Sequence, residues 1–231
     1  MAQKKEKKMV ATENAGKAVS KTTKAERSEK ATGKRVAAVV FWLLAIAMEV
    51  IFILFLNKTI YFPWYAENQL LVLLVLIGLD LIFVIIGSQF WKKANDVDPA
   101  SERNKVKFFL WNQMGLIVSV LAFAPLILVL LKNKDLDKKT KKIVTACAAV
   151  ALVIAGLFGI DYNPISEEER EAMEETITDD VYYTTFGKKY HTHEDCQALS
   201  NSATVYYGPI SDALDAGRTE KCKFCAERDG D

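Results

Sequence analysis

The chain has 231 residues and a formal net charge of +1, and 51% of its residues are hydrophobic. That near-neutral total hides a strong segregation. Residues 1–35 carry 11 Lys/Arg against 4 acids, residues 36–160 carry 12 against 8, and residues 161–231 carry 7 against 17. A basic head, an apolar middle and an acidic tail exclude a single soluble domain, and four unevenly spaced cysteines exclude a secreted disulfide framework.

The head, residues 1–35, lacks aromatics and is rich in Lys, Ala, Thr and Glu. Such a segment cannot bury a core, so it is expected to be a disordered basic tail. Its charge suits anionic lipid or nucleic acid, although a solvated tail that only sets topology is the simpler reading. It also rules out a cleaved signal peptide, because a long Lys-rich stretch precedes an apolar run that is itself too long.

The middle, residues 36–160, holds four apolar runs: 36–56, 70–87, 108–131 and 143–160. A helix needs about 20 apolar residues to cross a hydrocarbon core, and the chain has no soluble shell large enough to bury four such helices. The expected fold class is therefore an all-α membrane bundle of four transmembrane helices with a small α+β zinc-binding C-terminal domain. The bilayer is its first partner, and a homo-oligomer is compatible with so small a bundle.

Lys and Arg near the helix ends set topology. The head favours the cytoplasm. The first loop, with Tyr61, Phe62, Trp64 and Tyr65, reads as an outer interfacial belt, and the second, with Lys92, Lys93, Arg103 and Lys105, as inner. The third loop, KNKDLDKKTKK, has six Lys and falls outside by alternation, against the rule. Four crossings with both termini in the cytoplasm of an inner (cytoplasmic) membrane remain the expectation. The alternative is an incomplete third crossing, with the tail outside.

Two acids lie within the runs, Glu49 and Asp80. Carboxylates at that depth face a bundle interior and mark a function by default. They suggest a small ion or proton transporter or channel, against the plainer reading of neutral acids bonded to Asn112, Gln113, Ser119 or Thr145. Pro125 should kink the third run.

Beyond residue 160 the texture changes. Residues 161–180 read as an acidic linker, in which Ser166 and Glu169 have capping-box spacing for a short, solvated helix. Residues 181–231 read as a small domain. VYYTT and ATVYY are strands, Gly187 suits a hairpin turn, and Ser211 caps a short helix that ends at Gly217. About 45 residues with few large aliphatics need a staple. Cys222 and Cys225 form C-x-x-C, Cys196 adds a third thiol, and His191 or His193 completes four. Zinc takes four N/S ligands in this way.

The run VYYTTFGKKYHTHEDCQAL…TVYYGPISDALDAGRTEKCKFC resembles the Ada-type metal-binding domain. It is closer to the short YH-x-x-C…C-x-x-C modules appended to many bacterial surface and membrane proteins. The resemblance covers about 45 residues and implies His191, Cys196, Cys222 and Cys225 as ligands, with His193 open as the alternative to His191. In Ada-type repair proteins a zinc-bound cysteine just before the equivalent of Cys196 accepts a methyl group from DNA. Here that position is His191, which cannot replace the thiolate, and the acidic tail repels phosphate. Nucleic acid is therefore not the expected partner, and no catalysis is expected. The functional expectation is a membrane protein that displays a zinc-stabilised module to a protein partner, for instance through a Tyr206–Tyr207 strand edge. The rivals are the transporter already described and a membrane-linked redox or metal sensor.

Overall fold

In the computed structural model, which describes residues 7–16 and 23–230, the chain forms two compact units. The first comprises Thr32–Ala94 and Lys105–Tyr162. The second is assembled from three separate stretches, Met1–Ala31, Asn95–Asn104 and Asn163–Asp231.

The first unit is helical. It is built from α1 (Lys24–Leu56), α2 (Pro63–Glu67), α3 (Gln69–Val97), α4 (Lys105–Asn112), α5 (Met114–Lys132) and α6 (Lys138–Gly159), although the first turns of α1 and the last of α3 belong to the second unit. Four of these, α1, α3, α5 and α6, are long and apolar enough to cross a membrane. Inward residues such as Phe52, Leu73, Phe123, Leu126 and Ala148 form a continuous core. The outward face is just as apolar: Leu43, Val75, Leu121 and Val153 are all exposed. An apolar surface of that kind fits lipid rather than water.

Close approach of α5 and α6 depends on Gly115 and Gly159. A Cβ on Gly115 would lie 2.7 Å from the Gly159 carbonyl oxygen, so small residues set this contact. One of the six loop lysines has a local role. Lys141 Nζ donates to the carbonyls of Leu131 (2.7 Å) and Asn133 (2.8 Å), satisfying the end of α5. Asp137 caps α6 by accepting from the backbone N–H groups of Lys139 and Thr140.

Two expectations for this unit need correction. The run at 108–131 is broken at Gln113, whose side chain donates to the Asp161 carbonyl at 3.0 Å, so the long helix begins at Met114. The aromatic loop contains a short helix, α2, with Pro63 at its first turn, where a missing N–H costs nothing. Pro125, where a kink is expected, lies inside α5.

The second unit adds β1 (Lys8–Ala11), α7 (Glu167–Thr176), β2 (Val181–Tyr183), β3 (Lys189–Tyr190), β4 (Thr204–Gly208), α8 (Ile210–Asp215), β5 (Glu220–Lys221) and α9 (Lys223–Asp229). One sheet has the order β1-β4-β2, with β1 parallel and β2 antiparallel to β4. A second pairs β3 with β5 in parallel.

Here the sequence expectations fail in instructive ways. The head was expected to be disordered through residue 35, yet Lys8–Ala11 is a paired strand and α1 begins at Lys24. Met9 supplies the reason, since it packs against the buried cluster of Cys196, Leu199, Val205, Cys222 and Cys225. Residues 1–6 and 17–22 of that head lie outside the described residues. β4 lies between two strands, so Tyr206–Tyr207 is no free edge.

Helix α7 has the full capping box between Ser166 and Glu169, but it is not a solvated spacer. Met173 and Ile177 pack against Ile165, Val181 and Ile210. Arg170 is 1% exposed and donates to Glu174 (2.9 Å), Asp215 (2.7 Å) and the Asp96 carbonyl (2.7 Å). A guanidinium can be buried when its fork is matched by carboxylates and carbonyls in this way. Finally, α8 starts after Pro209 rather than at Ser211. Its end is as expected: Gly217 takes φ +74°, and its N–H bonds the Leu214 carbonyl at 2.8 Å.

Candidate metal centre

Two short chain segments deliver the four side chains, and the parallel β3–β5 pair aligns them. The register sets Lys189 opposite Glu220 and Tyr190 opposite Lys221. His191 and Cys222 therefore each stand one residue past a paired strand end. The Cys222 N–H bonds the Tyr190 carbonyl at 2.9 Å, and His191 exchanges two backbone bonds with Tyr182, both 2.8 Å. Cys222 then leads into α9, so Cys225 lies in its first turn. After His191 the chain turns back through a bond from Cys196 N–H to the His193 carbonyl (3.2 Å) and enters a 3-10 turn at Gln197–Leu199.

The result brings together His191, Cys196, Cys222 and Cys225, with one ligand atom from each lying within 4.8 Å of the others. All four residues are buried. His191 Nδ1 lies 3.3 Å from Cys196 Sγ and 3.9 Å from Cys225 Sγ, and the Cys196 and Cys222 sulfurs are 4.0 Å apart. A disulfide needs about 2.05 Å, and the cysteines are free. A tetrahedron with metal–sulfur bonds of about 2.3 Å has edges of about 3.8 Å, and the three distances above lie within about half an ångström of that value. The cluster could hold a metal ion.

Its electrostatics fit the same reading. Burial pushes the Cys196 thiol up to about 11, and the neighbouring Cys225 and Cys222 thiols add to this. Burial also lowers His191. A cation entering the cluster would therefore displace the Cys196 thiol proton and meet a neutral imidazole at His191.

His193, the alternative ligand, is turned away. Its Nε2 lies 2.6 Å from Asp229 Oδ1. Asp229 also accepts from Thr192 Oγ1 (2.8 Å) and Lys221 Nζ (2.7 Å). These bonds, Lys221 first among them, hold the Asp229 carboxyl below the usual carboxylate range. One carboxylate at the end of α9 thus ties the His191 segment to the Cys222 segment. Nothing in the sequence marked Asp229 for this role, because it lies 36 residues from His193 and outside any metal motif. Met9 was missed for the same reason.

The two acids of the apolar runs fare differently. Asp80 is 2% exposed, and neither carboxylate oxygen has a hydrogen-bond partner among the described residues. Ser119 bonds its own helix at Gly115, and Gln113 bonds Asp161, so these expected partners are engaged elsewhere. Glu49 is half-buried. Comparison with known proteins returns nothing: no family model, no curated protein and no solved structure matches the chain.

Proposed function

We propose that the protein is a non-enzymatic multi-pass protein of the cell inner membrane that carries a zinc-stapled module on its cytoplasmic side. The observation behind this is the closed ligand set. Three thiols and one imidazole, all buried and with ligand atoms within 4.8 Å of one another, supply the four ligands that a tetrahedral ion takes. Catalytic zinc sites keep a position open for substrate or water, whereas structural ones do not. Soft thiolates with imidazole favour zinc over harder cations.

The make-up of the second unit supports the sidedness. Its three stretches are interlocked: the Glu167 N–H bonds the Ala100 carbonyl (3.2 Å), and Arg27 pairs with Glu171 (3.2 Å). The head, the 95–104 loop and the tail therefore share one side, which needs an even number of crossings between each of them. Residues 1–35 and 88–107 carry 16 Lys/Arg, against 7 in residues 57–69 and 132–142, so the shared side is the cytoplasm. With the Tyr206–Tyr207 edge covered, a surface open to a partner is a cleft of about 610 Å³ beside the metal centre. Met173, Ile177 and Tyr190 line it, and Asp179 and Asp180 stand at its edge, a combination that suits a basic, partly apolar segment.

Metal analysis of the purified full chain tests the staple. One equivalent of zinc is expected, and less than about a third would refute it, given the tight apparent binding of Cys/His sites. A reporter fused at the C-terminus that is active only outside the cytoplasm should stay silent.

A further inference from the structure

The N-terminal strand is held in an unusual way. Four residues of β1 pair with β4 in the register Lys8↔Thr204 to Ala11↔Tyr207. The Lys8 N–H bonds the Ala203 carbonyl at 3.0 Å, and the Thr12 N–H bonds the Tyr207 carbonyl at 2.9 Å. Asn14 then donates to Asp212 at 2.8 Å. Thr12 occupies the space that a Cβ on Gly208 would need, so the arm and β4 fit closely. Four ladder residues at a sheet edge are marginal by themselves. The arm's apolar anchor is Met9, which packs on the cluster formed by Cys196, Leu199, Val205, Cys222 and Cys225. Three of those five residues are metal ligands.

We propose that arm docking and metal binding are linked, so that residues 8–14 form a metal-dependent latch on β4. The inference rests on the metal reading above and adds a regulated element to it. With the metal bound, three thiolates are drawn to one point and present a fixed, dry surface to Met9. Without it, the three sulfurs separate and take up water, Met9 loses its seat, and the β4 edge from Thr204 to Gly208 opens. The strand β1 ends at Ala11, 13 residues before α1 starts at Lys24. Linkage is reciprocal: whatever factor the metal adds to arm docking, the docked arm adds to metal affinity.

Hydrogen exchange and zinc competition on the full chain in detergent or nanodiscs test this. In the zinc-loaded protein the Lys8 and Thr12 amides are protected, and a chelator exposes them while the buried core of α6 stays protected. The variant Met9→Asp exposes the same amides with zinc present and weakens zinc binding about tenfold, within the usual range of coupling between sites. Unchanged exchange at Lys8 and Thr12 after zinc is removed overturns the latch, and so does unchanged zinc affinity in Met9→Asp. Absence of zinc from the wild-type chain is read separately, by metal analysis; that result refutes the metal reading and takes the latch with it.

Discussion

The two units are stabilised by opposite means. The helical unit draws its order from length and apolar composition. Its four long helices bury residues such as Phe123 and Leu126 inside, expose Leu121 and Val153 outside, and use glycine where α5 meets α6. The mixed unit has strands of two to five residues, three separate chain stretches and no long helix of its own. It relies on point fastenings: a Cys/His cluster, the buried Arg170 fork and the Asp229 clamp. Where lipid serves as solvent, backbone bonds must close within each helix, and extended apolar surface is sufficient. In water, a unit made of such short pieces needs specific staples. The comparison predicts that single polar substitutions should cripple the mixed unit and leave the bundle intact.

The largest effect should come from Cys225→Ser. Losing one ligand from a closed site forfeits much of a binding energy on the order of 10 kcal/mol, and that energy is also folding energy. The variant should lose its capacity to hold a metal ion, and protease should digest residues 163–230 while the four long helices survive with their helical signal. If the bundle melted as well, the two units would be one cooperative system and the comparison would fail.

Next in size is Arg170→Met. It strands Glu174, 2% exposed at the side chain, and Asp215 beside an unmatched Asp96 carbonyl. Breaking a buried pair from one side costs about 3–5 kcal/mol. The expected result is a lower unfolding midpoint for the mixed unit alone, followed by exchange of α7 and α8 amides. Arg170→Met with Glu174→Met should recover part of the loss, which a purely steric effect would not allow.

A smaller effect, on the other unit, is expected from Gly115→Ala. The new methyl meets the Gly159 backbone, and overpacking of this kind costs about 1–3 kcal/mol. Thermal unfolding followed by tryptophan fluorescence reports it, since Trp42, Trp91 and Trp111 cluster in this unit. An unchanged midpoint would mean that α5 and α6 can separate freely.

The same contrast explains what could be read in advance. The four apolar runs were visible because crossing a bilayer demands a long, uniform stretch, and the ligand set was visible because metal chemistry restricts residue type and spacing. Fastenings between distant segments were not. KMVA is too short to alternate, and its partner strand begins 193 residues after Ala11. Arg170 and Glu174 looked solvated because a charge shows its burial only through its partners, and Asp215 and Asp96 lie 45 and 74 residues from Arg170. The break at Gln113 was hidden because one polar side chain reaching Asp161 outweighs a hydropathy average. His191 and His193 could not be separated by spacing; the two backbone bonds to Tyr182 and the pull of Asp229 on His193 decide between them.

The smallest predicted effect tests the bundle's one exception to its own rule. Asp80 is buried among apolar helices with both oxygens unpartnered among the described residues. An unmatched buried polar group costs about 1–3 kcal/mol. If the site is merely tolerated, Asp80→Val should raise the unfolding midpoint by the equivalent of about 1 kcal/mol, some of the gain being lost to the change in shape. If Asp80 and Glu49 instead hold a translocated proton or cation, the variant should lose a measurable flux in liposomes, and the parent protein should show one. A stabilised variant from a flux-free parent would make the bundle a passive anchor and leave the chain's specific chemistry to the metal-stapled unit. A destabilised variant would mean that Asp80 is matched after all, by water or an ion, and that even the helical unit depends on a point fastening.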